Sequence, residues 1–128
     1  MAFVQLEDGE MYYEVEGPAG APVLVLSNSL GTDLHMWDAQ IDAFKTTFRV
    51  VRYDTRGHGK SLVTQGPYTV EQLGRDVLAL LDALKVKRAH FCGLSMGGLI
   101  GQWLGIHAND RLHKLVLCNT AAKIGGPE

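Results

Sequence analysis

Ala89-His90-Phe91-Cys92-Gly93-Leu94-Ser95-Met96-Gly97-Gly98 is the stretch on which the reading of this chain turns. Its first four residues have the apolar, aromatic character of a short strand, and from Met96 a helical pattern begins. Between them, Gly93-Leu94-Ser95-Met96-Gly97 fits G-x-S-x-G in the strand–turn–helix setting that the pattern requires. The requirement is steric. The chain must reverse sharply, which puts Ser95 in a strained conformation with its hydroxyl exposed above the sheet. Residues two before and two after pass so close that a side chain would clash, hence Gly93 and Gly97. Ser95 is therefore the candidate nucleophile.

Such a serine needs donors for the oxyanion and a base for its proton. The backbone N–H of Met96 is one donor, favoured by its place at a helix N-terminus. The other is expected from the loop after an earlier buried strand, Ser27-Asn28-Ser29-Leu30-Gly31, where the count from the strand end brings the N–H of Leu30 toward Ser95. Both are main-chain groups, so neither side chain has to be polar.

Outward from this centre, strands and helices alternate. Residues 2–7 and 10–16 read as strands joined at Asp8-Gly9, a hairpin signal because both turn positions favour φ > 0. Met11, Tyr13 and Val15 alternate with Glu10, Tyr12 and Glu14, which predicts one wet face. Pro22 to Leu26 is continuously apolar, as in a strand covered on both faces. Helical spacing of Trp37, Ile41 and Phe44 follows, then a buried strand from Phe48 to Tyr53. After a polar loop, Thr69 and Gln72 form a capping box for a helix with an apolar stripe at Leu73, Val77, Leu80, Leu81 and Leu84. A helix from Met96 to about Ala108 and a strand from Leu112 to Cys118 complete the pattern. It predicts an α/β fold: a mostly parallel sheet with helices on both faces and an N-terminal β-hairpin. Gly97, Gly101 and Gly105 recur every fourth residue, which marks a close approach of helix to sheet.

The composition fits a globular enzyme-type scaffold. The chain has 128 residues, 46% hydrophobic and 20% charged, within the range of a single domain. A net charge of −2 argues against nucleic acid or an anionic membrane as partner, since both need a basic face. The start Met1-Ala2-Phe3-Val4-Gln5 lacks the basic and apolar segments of a signal peptide. Two cysteines make neither a disulfide framework nor a Cys-based zinc site, which points to a reducing, cytoplasmic compartment. Cys92 and Cys118 read as small buried thiols at the ends of neighbouring strands. Neither cofactor nor metal is expected: Gly59-Lys60-Ser61 looks like the tail of a P-loop, but Asp54 stands where its first glycine belongs, and G-x-G-x-x-G and H-E-x-x-H are missing. His90 and His107 read as structural. His58 lies in a loop at the correct sheet end, but Asp54-Thr55-Arg56-Gly57-His58-Gly59 reads as a rigid turn built on an Asp–Arg interaction rather than as the seat of a base.

The elbow Gly93–Gly97, the loop Asn28-Ser29-Leu30-Gly31 and the run Asp54–Ser61 together resemble the α/β-hydrolase family. More narrowly, Ser27-Asn28-Ser29-Leu30-Gly31-Thr32-Asp33-Leu34-His35-Met36-Trp37 and Leu117-Cys118-Asn119-Thr120-Ala121-Ala122 are similar to bacterial 3-oxoadipate enol-lactonases of aromatic-acid breakdown. Many relatives carry His-Gly where this chain has Asn28-Ser29. The resemblance implies a serine-nucleophile hydrolase of a small lactone or ester, with triad residues in the order Ser, Asp, His. It also implies about eight strands, of which six are legible here. Only 33 residues follow Ser95, and no Asp or His among them matches the family acid or base: Asp110, His107 and His113 lie at the wrong end of the sheet. Residues 1–128 are thus expected to be the N-terminal part of one core domain, without the cap and C-terminal strands. Full activity is expected to need a complementary C-terminal segment, and self-association across the apolar edge at Leu115-Val116-Leu117 is the other expected contact. The alternatives are a catalytically inactive truncated or engineered fragment, or a hydrolase of another small carboxylic ester.

Overall fold

The computed structural model describes residues 2–118. The expected readings for Asn119 to Ala122 and for 125–128 lie outside the described residues. Strands β1 (Ala2–Leu6) and β2 (Gly9–Glu16) pair antiparallel as a hairpin. The turn falls one residue earlier than the sequence implied: Leu6 pairs with Gly9, so Glu7 and Asp8 make it, and neither has a positive φ. Gly9 is needed for contact instead, since a Cβ there would lie 2.9 Å from Leu62 Cβ.

Four further strands follow: β3 (Val23–Ser27), β4 (Arg49–Tyr53), β5 (Ala89–Leu94) and β6 (Leu112–Cys118). They form one six-stranded sheet in the order β1-β2-β4-β3-β5-β6. The β2–β4 pair is antiparallel, whereas β4–β3, β3–β5 and β5–β6 are parallel, as the alternation of strands and helices requires. Helices cover both faces. Val25, Val51, Tyr53 and Phe91 pack on one face with α2 (Val70–Ala83) and α3 (Met96–His107), whereas Leu24, Leu26 and Val50 pack on the other with Trp37 and with Ile41 of α1 (Asp38–Phe44). Alternate residues of β3 and β4 thus enter different cores, and the strands read as continuously apolar for that reason.

Helix α2 follows its sequence signals closely. The Thr69 hydroxyl accepts from the N–H of Gln72 at 3.0 Å, and Leu73, Val77, Leu80 and Leu81 are buried. Each such side chain contributes about 1.5–3 kcal/mol by leaving water.

The second face of β2 is exposed at Glu10, as expected, but covered at Tyr12. Tyr12 is only 4% exposed, because the loop after β4 folds over it. The N–H of Tyr12 donates to Ser61 Oγ at 2.9 Å, its carbonyl accepts from Asp54 N–H at 3.0 Å, and Leu62 N–H donates to Glu10 at 2.8 Å. Cys92 and Cys118 lie on adjacent strands as free thiols, but only Cys118 ends its strand, β5 running two residues past Cys92 to Leu94, and both are half-buried rather than buried. Among the described residues, no helix is long and apolar enough to cross a membrane.

Candidate active site

The chain reverses at Ser95, between the C-terminal end of β5 and the first turn of α3. Ser95 has φ 56° and ψ −108°, a left-handed φ that L-residues rarely adopt. The turn is held from three sides. Ser95 N–H donates to the Cys118 carbonyl at 2.9 Å, Gly98 N–H closes back on the Ser95 carbonyl at 2.9 Å, and Gly97 N–H donates to the Asn28 carbonyl at 3.1 Å. A Cβ on Gly93 would strike the Gly97 carbonyl, and one on Gly97 would strike the Ser27 carbonyl. The sequence argument for Gly93 and Gly97 holds in both its parts. Farther along α3, a Cβ on Gly101 would come within 2.8 Å of Leu117, and one on Gly105 within 3.2 Å of Leu115. The glycine ladder is a helix–sheet contact, as its spacing predicts.

The loop after β3 lies beside the elbow because β3 and β5 are neighbours, with Ser27 opposite Gly93. Asn28 anchors it. This side chain is fully buried, donates Nδ2–H to the Tyr53 carbonyl at 2.8 Å and accepts from Trp37 Nε1–H at 2.8 Å. Beneath it, the hydroxyls of Ser27 and Tyr53 meet at 2.6 Å, and burial raises the Tyr53 phenol well above its ordinary range. Leu30 projects its side chain into solvent, 70% exposed. The N–H groups of Leu30 and Met96 have no hydrogen-bond partner among the described residues.

The loop from Asp54 to Leu62 forms the third side, and here one sequence expectation fails. Asp54 does not pair with Arg56. Its Oδ1 accepts from Leu34 N–H at 2.8 Å and its Oδ2 from Lys60 N–H at 2.9 Å, so it ties this loop to the one after β3. Arg56, 4% exposed, reaches across to Asp76 (Nε–Oδ2 2.9 Å) and Asp8 (Nη1–Oδ2 2.6 Å). The reason is geometric: backbone N–H groups converge on Asp54, which leaves the guanidinium to find carboxylates on α2 and in the hairpin turn. Burial raises the Asp76 carboxyl although Arg56 opposes the shift, and the hydrogen bond to Arg56 lowers that of Asp8. The turn itself is internally hydrogen-bonded, with His58 N–H bonded to the Thr55 carbonyl at 2.8 Å and Gly57 N–H to the Leu62 carbonyl at 2.8 Å.

His58 is fixed at both ring nitrogens: Nε2 accepts from Gly31 N–H at 3.0 Å, and Nδ1 lies 3.2 Å from the Arg56 carbonyl. Neither contact was legible in the sequence; only the position of the loop at the elbow's end of the sheet hinted at a role. An open hollow of about 440 Å³ adjoins this contact, lined by Gly31, Thr32, Asp33, Met36, His58 and Gly59. A second hollow, about 960 Å³, lies over Asp8, Arg56 and Asp76 and includes no elbow residue.

The remaining candidates lie elsewhere. His107 ends α3 against Trp103, and His113, the second residue of β6, lies beside His90, at the opposite end of the parallel strands from Ser95. Asp110 sits in the short turn between α3 and β6. Burial pushes the Cys92 thiol up to about 11, with the neighbouring Cys118 adding to the shift, so it stays protonated at neutral pH. Among the described residues, no group of three or more His, Cys, Asp or Glu side chains is placed to hold a metal ion.

Comparison with known proteins agrees with this architecture. Residues 22–126 match the alpha/beta hydrolase fold family. The chain is 53% identical over 119 residues to 3-oxoadipate enol-lactonase 2 of Acinetobacter baylyi, covering 93% of this chain and 45% of that protein. It is 36% identical over 126 residues to the putative carbamate hydrolase RutD of Azorhizobium caulinodans, covering 98% of this chain and 47% of the relative. Among solved structures, the enol-lactonase from Burkholderia xenovorans superimposes with a TM-score of 0.94 at 54% identity, over 97% of this chain and 48% of that one. The chain spans about half the length of the curated relatives it matches. With the fold, the elbow and the match over residues 22–126 in agreement, the chain belongs to the alpha/beta hydrolase fold family.

Proposed function

We propose that Ser95 is the nucleophile of a hydrolase whose substrate is a small lactone, 3-oxoadipate enol-lactone, opened to 3-oxoadipate in bacterial aromatic-acid catabolism. The observation that carries the reading is the Ser95 backbone at φ 56° between β5 and α3, together with the N–H groups of Met96 and of Leu30, in the loop that the elbow holds at Asn28, which no other described residue uses. The 53% identity to an enol-lactonase supports the substrate.

In the first step Ser95 Oγ bonds to the lactone carbonyl carbon while its proton passes to a histidine base. The carbonyl oxygen becomes an oxyanion held by the N–H groups of Leu30 and Met96. Collapse breaks the ring C–O bond, and the enol oxygen that leaves takes up the proton and tautomerises to the ketone. Water, deprotonated by the same base, then attacks the acyl-enzyme and releases 3-oxoadipate and Ser95. No described Asp or His stands where the family places its acid or base, so both come from a complementary segment. That segment seats along the outer edge of β6, the terminal strand of the sheet; self-pairing of two chains along this edge is the competing contact. The free thiols Cys92 and Cys118 support a cytoplasmic setting.

A fluorophosphonate tests the assignment, since Ser95 Oγ bonds to phosphorus as fluoride leaves. The chain alone is expected to be labelled slowly, at Ser95, with no labelling of Ser95→Ala. Labelling that persists in Ser95→Ala overturns the nucleophile; rapid labelling that Ser95→Ala abolishes overturns the missing base. Equal hydrolysis of simple aryl esters and of the enol-lactone by the complemented enzyme overturns the substrate.

A further inference from the structure

We infer that His58 and Thr32 are positioning residues that aim the Leu30 N–H at the oxyanion, an inference that rests on the reading of Ser95 as nucleophile. Two consecutive peptide groups decide where that N–H points. In the Ser29–Leu30 peptide, the Ser29 carbonyl accepts from the Thr32 hydroxyl at 2.7 Å. The carbonyl and N–H of a trans peptide point in opposite directions, so pinning the carbonyl on Thr32 turns the Leu30 N–H away from it. In the next peptide, Gly31 N–H donates to His58 Nε2 at 3.0 Å, with Gly31 at φ 79°. Leu30 lies between the two pins, and its exposed side chain supplies no anchor.

His58 is built to serve as a fixed post. An imidazole nitrogen that accepts from a backbone N–H carries no proton, so in the neutral ring the proton is on Nδ1, which faces the Arg56 carbonyl at 3.2 Å. Glycines flank it at φ 85° (Gly57) and φ 52° (Gly59). A Cβ on Gly59 would collide with the Asp54 carboxylate, and one on Gly57 would lie 2.6 Å from the Tyr68 ring. Behind the post, Arg56 is locked to Asp8 and Asp76, and Asp54 bridges Leu34 and Lys60. The Gly31–His58 bond itself is exposed, so it adds little to folding. Its consequence is orientation: it transfers the rigidity of the 54–62 loop to the one peptide segment that has to face Ser95.

The test uses the 128-residue chain. Without acid and base, the acceleration that a serine hydrolase retains comes from its oxyanion donors and binding, so slow phosphonylation of Ser95 reports on those donors. In His58→Phe and Thr32→Val the maximal phosphonylation rate should fall about 10- to 100-fold, the scale of misaligned catalytic groups. The half-saturating reagent concentration and the urea midpoint should not change. His58→Gln and Thr32→Ser, which restore an acceptor and a donor, should recover most of the rate. Independently of reactivity, hydrogen exchange at Gly31 N–H should be about 10-fold faster in His58→Phe, the loss of one weak hydrogen bond. Unchanged Gly31 exchange in His58→Phe overturns the inference by itself, as does a maximal rate equal to that of the parent chain. If labelling survives Ser95→Ala, the nucleophile reading fails instead, and the exchange result shows whether the two pins stand without it.

Discussion

Asp76 and Asp8 hold the same guanidinium but in different surroundings. The Asp76 side chain is 8% exposed, whereas that of Asp8 is 43% exposed. Removing the buried partner leaves the buried guanidinium with Asp8 alone, which costs up to about 3–5 kcal/mol, while the exposed partner is replaced by water. Asp76→Ala should therefore lower the urea midpoint far more than Asp8→Ala. Comparable losses in the two variants would disprove the asymmetry. The same network explains what the sequence leaves hidden at this scale. Ser95, Gly93 and Gly97 are legible because their constraint is local, a turn and its two flanks. The partners of Arg56 lie 20 and 48 residues away, and the donor that His58 serves is a backbone N–H 27 residues away. No side-chain pattern records a main-chain donor.

Among the elements, α2 shows how closely local signals fix a helix and where they stop. After its last turn, Lys85 N–H bonds to the Asp82 carbonyl at 3.1 Å and Val86 N–H to Leu81 at 2.8 Å, a Schellman termination that places Lys85 at φ 58°. Glycine is the usual residue at that position, because a Cβ there costs energy. Lys85→Gly should raise stability by roughly 0.5–1 kcal/mol in urea unfolding, an excess over the entropic cost of glycine in the unfolded chain. A lower midpoint would mean that the Lys85 side chain contributes more than its backbone costs. Strands β3 to β6 are legible from their apolar runs, and helices α1 to α3 from their spacing. The covering of Tyr12 is not, because alternation in β2 reports which face a residue takes but not what a loop 40-odd residues later lays on it. The hairpin turn shifted for a related reason: Gly9 answers to Leu62, a contact outside the hairpin.

For the whole molecule, the groups with shifted titration predict how acid unfolds it. His90 accepts from Lys114 N–H at 3.2 Å and faces the rings of His113 and Phe48; burial first, then His113 and Lys114, depress its pKa below 6.5. Its neutral form is favoured by folding, so the unfolded chain binds more protons and stability falls as pH drops through about 6.5. Asp8 and Asp38, held low by Arg56 and Arg52, act in the same direction below about 3.8, whereas the raised carboxyl of Asp76 opposes the decline above 3.8, where folding favours its protonated form. Urea midpoints should therefore decline in two steps between pH 7.5 and 3. His90→Gln should flatten the first step and leave the second; a first step that persists in that variant would assign it to another group.

The hydrogen bond from Ser95 N–H to the Cys118 carbonyl has a mechanical consequence. One side of the sharp turn is carried by β5, and the other is braced by the outermost strand of the sheet. The turn is thus a strut between an interior rail and an outer rail, and its stiffness is set by the softer of the two. Whatever clamps the outer rail stiffens the turn, and whatever pries that rail loose slackens it, with no contact to Ser95 itself.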